Sequence, residues 1–282
     1  MRSRIIKTML VLFILISVSG CVSENRSGSG VVIEDFRSDV SKVFSGEPVS
    51  FYIKLRNTGD VKAEDVVVKL LGLENWQCNG VCAVDMLFPR SVKTGGEGEV
   101  KTCKFSCEAP RVSEGLSVDY WPIARAEYRY TSHAAKTVTF VSKDEIKRII
   151  DSGGTLPSET LSASRGPVKI EINIKGPVRY WGDNEIAFPV EIIVKNVGNG
   201  MVKNENGWNK LFLKIDSGDM ALSKCGYERE IELWNGKEYR TVCRLVANIG
   251  EMMGLLQKTI KVYADYTYVT EKSGHITVVW KR

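Results

Sequence analysis

Hydrophobic and polar residues alternate with a period of two along much of the chain after residue 30. Residues 49–56 (VSFYIKLR) and 186–195 (IAFPVEIIVK) show this pattern, which places successive side chains on opposite faces of a strand. Each run leads into Asn-x-Gly, at residues 57–59 and 196–198, and these residue types favour turns because they tolerate positive φ. Many short strands separated by turn residues predict an all-β protein built from antiparallel β-sandwiches.

Two segments that lie far apart in the chain repeat one motif. Residues 124–140 (ARAEYRYTSHAAKTVTF) and 262–279 (VYADYTYVTEKSGHITVV) both contain Ala-x-Tyr-x-Tyr, then a polar stretch, then an alternating run with β-branched residues. We interpret each segment as the final β-hairpin of a domain, with His133 and His275 in the polar turns.

The matching segments follow the same order in the two halves of the chain. Residues 100–105 (VKTCKF) correspond to residues 240–245 (RTVCRL), and both stand between an Asn-x-Gly turn and a tyrosine motif. This order indicates a duplication. It predicts a first sandwich domain at residues 31–142 and a second at residues 166–282.

The segment between these domains, residues 143–165, is predicted to be a linker with one short helix. Ser142-Lys143-Asp144-Glu145 has the capping-box pattern that begins a helix. Ser152-Gly153-Gly154 would end that helix near residue 151, and the following residues (TLPSETLSASRGP) have a linker-like composition. The boundary of the second domain is therefore expected near Gly166.

The strand-and-turn pattern resembles a known group of modules. Alternating hydrophobic residues followed by Asn-x-Gly are similar to the CARDB-like and related Ig-like modules of archaeal and bacterial surface proteins. The resemblance covers most of each domain, and it implies two tandem Ig-like β-sandwiches displayed on a cell surface. Its motifs specify a strand and a turn, so it implies no particular activity.

The first 20 residues have the pattern of a secretory signal peptide. Basic residues in the first seven positions precede an apolar core at residues 8–18 (TMLVLFILISV). The core is shorter than the roughly 20 residues that span a bilayer as a helix. Residues 18–21 (VSGC) resemble the lipobox of prokaryotic lipoproteins, which implies cleavage before Cys21, lipidation of that cysteine and retention on the extracellular face of the cell membrane.

Residues 21–30 are predicted to be a flexible tether between the lipidated Cys21 and the first domain, since they are polar and rich in Ser and Gly. Asn25-Arg26-Ser27 fits a sequon, so Asn25 is a candidate glycosylation site. The alternatives are an ordinary signal peptide or an uncleaved anchor in which the cysteine has no special role.

Charge argues against a nucleic-acid partner. The chain has 39 Lys and Arg residues against 34 Asp and Glu residues, and the signal peptide contains Arg2, Arg4 and Lys7 but no acidic residue. The mature chain is therefore close to neutral, without the basic excess that accompanies nucleic-acid binding.

Six cysteines remain after Cys21, and an even number in an exported protein predicts disulfides. The spacing Cys78-x3-Cys82 and Cys103-x3-Cys107 would also allow a zinc site with four thiolates, but an oxidising compartment favours disulfides, and no metal is predicted. If the two segments pair antiparallel, the nested bridges Cys78–Cys107 and Cys82–Cys103 need no change of register. The alternative bridges, Cys78–Cys103 and Cys82–Cys107, require parallel strands. Because Cys103 aligns with Cys243, the bridge Cys225–Cys243 is expected in the second domain.

Motifs for catalysis and cofactor binding are missing from the sequence. It contains no P-loop, no Gly-x-Gly-x-x-Gly and no Gly-x-Ser-x-Gly elbow. Glu228 and Glu230 alternate with Arg229 and Ile231, which predicts the solvent side of a strand rather than a catalytic pair. We therefore predict no catalytic residue and no cofactor, and expect that the protein is not an enzyme.

The best candidates for a binding surface are the tryptophans: Trp76, Trp121, Trp181, Trp208, Trp234 and Trp280.

These observations predict a surface lipoprotein whose two Ig-like domains act as spacer or interaction modules. The expected partners are the membrane, through the lipid anchor, and an envelope protein or a polysaccharide. The alternative is a lipid-anchored ligand-binding subunit of a transport or secretion system. That role usually requires a large cleft between α/β lobes, which the strand pattern does not predict.

Overall fold

A computed structural model describes residues 30–91, 96–157, 159–180, 184–250 and 254–281. The predicted all-β class is confirmed, since strands in antiparallel sheets dominate the described residues. The predicted signal peptide, residues 1–20, lies outside the described residues, and so does the tether up to residue 29.

Segments in which hydrophobic and polar residues alternate form strands, as the sequence pattern predicts. The first half of the chain contains β1 (Val31–Ser38), β2 (Lys42–Phe44), β3 (Pro48–Asn57), β4 (Ala63–Leu71), β5 (Gln77–Asn79), β6 (Cys82–Leu87), β7 (Val100–Glu108), β8 (Ser117–Tyr120) and β9 (Ile123–Ser142). The helix α1 (Lys143–Asp151) and β10 (Leu161–Ala163) follow. The second half contains β11 (Val168–Asn173), β12 (Val178–Tyr180), β13 (Glu185–Asn196), β14 (Met201–Asn204), β15 (Gly207–Trp208), β16 (Lys210–Asp216), β17 (Ala221–Ser223), β18 (Glu228–Glu232), β19 (Glu238–Asn248), β20 (Leu255–Ser273) and β21 (Ile276–Val279).

Each half has a four-stranded sheet with the same strand order. The orders are β1-β3-β7-β5 and β11-β13-β19-β17, so corresponding strands occupy corresponding places. The inner faces are formed by alternate residues, as in β3, where Phe51, Ile53 and Leu55 are buried. This match between the halves follows the repeat in the sequence.

The longest strands, β9 and β20, pair with each other and join the two halves in one sheet. Their antiparallel register is constant, with Ile123 opposite Ser273 and Val141 opposite Leu255. The same register continues from β9 into β8 and from β20 into β21. The prediction of a final hairpin in each half is therefore wrong: β9 is one continuous strand, and β21 pairs with β2 and β8.

The long strands also exchange their ends between the halves. The end of β9 enters the second half, where Phe140 packs on Phe188 of β13 with ring centroids 5.5 Å apart, and β12 pairs with it in parallel. In the same way, β21 enters the first half, where it pairs in parallel with β2. Each half is therefore completed by a strand that the other half supplies.

An internal two-fold relation runs through the tyrosine motifs. Tyr128 lies opposite Tyr268, and Tyr130 lies opposite Tyr266, so the first tyrosine of each motif faces the second tyrosine of the other. The four rings form one buried cluster with centroid separations between 5.9 and 6.2 Å. This is the arrangement of an isologous interface, in which the same surface of two copies meets itself.

The tyrosine hydroxyls bond to the same backbone positions in both halves. Tyr128 Oη accepts from Val31 N at 3.0 Å, at the start of β1. Tyr266 Oη accepts from Val168 N at 3.3 Å, at the start of β11. The second tyrosine of each motif fixes the segment after an Asn-x-Gly turn, since Tyr130 Oη accepts from Val61 N at 3.2 Å.

The Asn-x-Gly turns are held by their own asparagines. Asn57 is buried, and its Nδ2 donates to the carbonyls of Val61 and Leu87, both at 2.8 Å. The corresponding Asn196 Nδ2 donates to Gly200 O at 2.9 Å. The side-chain amide therefore satisfies backbone groups that the turn leaves without a strand partner.

The predicted short helix is present as α1. Ser142 is its N-cap, with Oγ accepting from Glu145 N at 3.2 Å. Gly153, with φ of 69°, follows its end, as expected for a residue that must adopt the left-handed conformation. The rest of the predicted linker includes β10, which pairs with β9. The predicted domain limits, residues 31–142 and 166–282, describe the two units of the sequence repeat, and they remain a prediction.

Three disulfides connect Cys78 with Cys107, Cys82 with Cys103, and Cys225 with Cys243. The disulfides expected from the cysteine count are thus present, in the nested arrangement. Cys78 lies directly opposite Cys107 within one sheet, as the antiparallel argument requires. The same argument is wrong about Cys82, which begins β6 in the other sheet, so that its bridge to Cys103 joins the two sheets.

Candidate functional site

Two of the predicted site residues, Cys21 and Asn25, lie outside the described residues, as does Trp181. Within the described ranges, no helix is long and apolar enough to cross a membrane. Those ranges also contain no group of three or more His, Cys, Asp or Glu side chains placed to hold a metal ion.

The two histidines do not occupy equivalent turns. His133 lies within β9, where its ring centroid is 6.3 Å from that of Tyr263. His275 lies between β20 and β21, and its Nε2 is 3.1 Å from Asp119 Oδ1. The sequence therefore correctly placed only His275 in a break between strands.

His275 belongs to a hollow where β9 begins and β20 ends. The Trp121 ring lies against the imidazole, with ring centroids 4.5 Å apart and the ring planes tilted by 42°. Hydrogen bonds from the Thr277 hydroxyl and from His275 lower the pKa of Asp119. The hollow has a volume of about 250 Å³ and is lined by Phe36, Arg37, Ser38, Ser41, Phe51, Pro122, Gly274 and His275.

In the described part of the chain, no nucleophilic side chain is hydrogen-bonded to the imidazole of His275, whose partner is Asp119. Ser38 lines the hollow, but its Oγ donates to Val40 O at 2.6 Å. A serine nucleophile needs its base within hydrogen-bond reach. The described residues around His275 therefore do not form a Ser-His-Asp triad.

The tryptophans differ widely in their surroundings. Trp76 is buried, and its ring packs edge-on against Phe51 and Tyr120. Trp280 is half-buried near the end of the chain. Trp121, Trp208 and Trp234 are exposed, by 65 %, 48 % and 78 %. Exposed large aromatic side chains that share a surface indicate a binding site more strongly than isolated ones.

Trp208 and Trp234 share one surface. In β16 and β18, Lys210 lies opposite Glu232, and Leu233 N donates to Asn209 O at 2.7 Å. Beyond this contact, Asn209 has a positive φ of 63° and separates β16 from β15, where Trp208 pairs with Lys203. Trp208 faces outward together with Lys203, and Trp234 faces outward because it follows the buried Leu233 just after β18.

We call this surface the outer tryptophan face. It is the solvent side of the central sheet in the second half, and it comprises Lys203, Asn204, Asn206, Trp208, Lys210, Phe212, Lys214, Glu228, Glu230 and Trp234.

Polar groups on the outer tryptophan face are connected by hydrogen bonds. The side-chain amides of Asn206 and Asn204 donate to Glu230 Oε2 and hold the pKa of that carboxyl below its ordinary value. Lys203 Nζ lies 5.4 Å from the centroid of the Trp208 ring, which fixes the indole by a cation–π contact. Glu228 and Glu230 thus lie on the solvent side of a strand, as the alternation predicts.

A groove adjoins this face next to Phe212. Its volume is about 360 Å³, and it is lined by Thr131, Lys214, Asp216, Tyr263 and Asp265. Phe212 lies opposite Asp265 in the pairing of β16 with β20, so the groove and the aromatic residues are contiguous. The sequence marks these lining residues only indirectly, since the alternation that points Tyr266 and Tyr268 of β20 inward also points Tyr263 and Asp265 outward.

The two halves differ at this surface. In the first half, β4 runs along β9 with one irregularity near Asp65. In the second half, β14, β15 and β16 take the place of β4, and the short hairpin β14–β15 carries Trp208. The outer tryptophan face is therefore a feature of the second half alone.

No protein-family model and no curated protein matches this chain. Among solved structures, this chain is similar to the secreted serine protease VesC from Vibrio cholerae, at 9 % identity and a TM-score of 0.23. That alignment covers 87 % of this chain and 50 % of the protease, so this chain spans about half the protease's length. The Enterococcus faecalis MSCRAMM ACE, described as binding its ligands by the collagen hug model, aligns at 8 % identity and a TM-score of 0.16. Its alignment covers 91 % of this chain and 96 % of that protein.

The match to VesC corrects the expectation that the chain is not an enzyme. That expectation rested on missing sequence motifs, and a secreted protease is among the solved structures that align with this chain. At a TM-score of 0.23 the likeness transfers no catalytic residue and no activity to this chain. The same holds for the adhesin, whose TM-score is lower.

Proposed function

We propose that this chain is an exported protein, lipid-anchored through Cys21, that holds a rigid pair of β-sandwiches on the outer side of the cell membrane. The observation that carries the proposal is the set of three disulfides. Disulfides persist in oxidising compartments and are rare in the cytosol. The apolar segment and VSGC at residues 18–21 supply the matching signal for export and lipidation.

The role of the pair is to present an interaction surface to an envelope protein or a polysaccharide. Exchanged strand ends and a shared sheet make the two halves one body, which supports a scaffold rather than two loosely linked units. The Ig-like modules of archaeal and bacterial surface proteins, which the sequence pattern resembles, fit the same role.

Replacement of Cys21 tests the anchor. We expect Cys21→Ser to leave the precursor uncut or to release the protein from membranes, because only cysteine provides the thiol for lipid attachment. Membrane fractionation with metabolic labelling by a radioactive fatty acid measures both effects. Ser23→Ala in the tether is the matched control and should remain labelled and membrane-bound. Unchanged labelling and retention of Cys21→Ser would contradict the proposal.

A further inference from the structure

We propose that the outer tryptophan face, with its adjoining groove, binds a chain of neutral sugars. This inference rests on the proposed function, since it chooses a polysaccharide as the partner of the displayed scaffold. It is carried by the exposure of Trp208 and Trp234, by the groove, and by the pairing of the charges around them.

The indoles supply flat apolar surface that remains in contact with solvent. Trp208 and Trp234 are both exposed on the outward side of the sheet, and Lys203 Nζ lies over the Trp208 ring. Exposed aromatic surface at fixed positions is unfavourable in water unless a ligand covers it. A sugar ring has apolar C–H faces that fit a flat aromatic ring, and its edges carry hydroxyls.

Hydroxyl groups of a sugar find partners next to the indoles. The groove contains the carboxylates of Asp216 and Asp265 and the hydroxyl of Thr131, which donates to Asp265. Carboxylate oxygens each accept more than one hydrogen bond, so Asp265 retains capacity for a ligand hydroxyl. Tyr263 adds an aromatic ring with a polar end to the same groove.

Each lysine on this face is paired with a carboxylate, which disfavours a polyanionic ligand. Lys214 Nζ lies 2.6 Å from Glu228 Oε1, and Lys210 Nζ lies 3.3 Å from Glu230 Oε1. Lys203 Nζ lies 2.6 Å from Glu127 Oε2 on β9. Because each lysine already has a carboxylate partner, the face offers no concentrated positive charge to a polyanion.

The length of the face fits a chain rather than a single sugar. Lys210 and Lys214 are four positions apart in β16, which corresponds to about 13 Å at the rise of a strand, and Trp208 lies beyond Lys210. The groove at one end and the indoles at the other are therefore far enough apart to contact several linked rings.

Native affinity electrophoresis tests the proposal with the full-length protein in non-ionic detergent. The gels contain dextran, mannan or xylan as neutral probes and dextran sulfate as the anionic probe. We expect at least one neutral polysaccharide to retard the protein, and Trp208→Ala and Trp234→Ala to weaken that affinity about tenfold each because stacking surface is lost. Trp121→Ala is the matched control, since it removes an exposed indole elsewhere and should not change the retardation.

Several outcomes would overturn the proposal. These are no retardation by any of the three neutral polysaccharides, retardation by dextran sulfate alone, or an equal loss in Trp121→Ala. An envelope protein whose capture depends on Trp208 and Trp234, without sugar binding, would also replace it. Equal melting temperatures of variants and parent show that the fold is retained. The gel assay does not depend on the anchor, so a membrane-bound Cys21→Ser protein would refute the anchor while leaving sugar binding intact.

Discussion

At the scale of residues, the central tyrosines use both parts of their side chains. Their rings pack in one cluster across β9 and β20, and their hydroxyls fix backbone amides at strand starts and after turns. Burial raises the pKa of Tyr128 and of Tyr266 well above the ordinary value of 10.0. Burial also raises the pKa of Tyr130 and of Tyr268, each to about 12.

Alkaline pH should therefore unfold the protein through these phenols. Above pH 10 the unfolded chain releases phenolic protons that the folded chain retains up to about pH 12. The unfolded state then binds fewer protons, so stability falls as pH rises, by up to about 1.4 kcal/mol per pH unit for each tyrosine. Urea unfolding between pH 9 and pH 11 measures the slope.

The variant Tyr268→Phe is the comparison that isolates one phenol, because it removes a titrating group and keeps the ring. Its stability should fall less steeply above pH 10 than that of the parent, although its stability at neutral pH is lower. Parallel curves for the two proteins above pH 10 would show that the phenols are not the cause.

A close contact between Gly59 and Tyr130 makes a second prediction. A Cβ at Gly59 would lie 2.0 Å from Tyr130 Oη, so Gly59→Ala should destabilise the fold by about 1–3 kcal/mol through overpacking. Tyr130→Phe alone should lower the free energy of unfolding by about 1 kcal/mol, because one hydrogen bond is lost. The double variant should lose less than the sum, since removing the hydroxyl relieves the contact.

Urea unfolding of the four proteins in this cycle measures the coupling. Gly226→Ala is the control, because its nearest neighbour, Glu228 O, would lie at an ordinary 3.4 Å. Additive effects of Gly59→Ala and Tyr130→Phe would refute the contact as the cause of the destabilisation.

At the scale of elements, the alternation of hydrophobic and polar residues predicted where strands form but not where they end. Alternation predicted β3 and β13, and the capping box predicted α1. Residues 131–136 (TSHAAK) were interpreted as a turn because they are polar, but they contain no Gly, Pro, Asn or Asp. Without a residue that favours a turn, the strand continues. Thr131 and His133 face outward, while Ser132 is buried and its hydroxyl is hydrogen-bonded to that of Tyr266. The second copy has Gly274 at its break, where β20 ends.

The pairing of elements could not be read from local sequence. The register between β9 and β20 depends on residues about 140 positions apart along the chain, and alternation specifies a face but not a partner. The same limit applies to the candidate site. Tryptophans were the candidates for a binding surface, but only the pairing of β15 with β14 and the burial of Leu233 place Trp208 and Trp234 on the outward side of one sheet.

At the scale of the whole molecule, the exchanged strand ends predict mutual dependence of the two halves. A chain of residues 30–165 alone would lack β21, and residues 166–281 alone would lack the end of β9. We expect neither fragment to be a protease-resistant monomer, because each would expose unpaired strand edges and core residues such as Phe188. Limited proteolysis and size-exclusion chromatography measure this.

Co-expression of the two fragments is the control, since it restores every strand pair. We expect a stable one-to-one complex that unfolds in a single transition. Its melting temperature should approach that of the parent protein. If each fragment alone gave a resistant monomer with its own transition, the two halves would be independent units, and the exchange would have no energetic role.

The exchanged strand ends also bear on how the molecule would respond to pulling. A tether at residue 30 enters the first half, whereas the outer tryptophan face lies on the second half. Both points lie near the middle of the β9–β20 ladder, since Val31 bonds to Tyr128 and Trp208 pairs with Lys203, which lies opposite Thr267. Thr267 in turn lies opposite Arg129, next to Tyr128. If the proposed anchor and ligand pulled on these two points, the exchanged strand ends that complete each half would therefore lie away from the line of force.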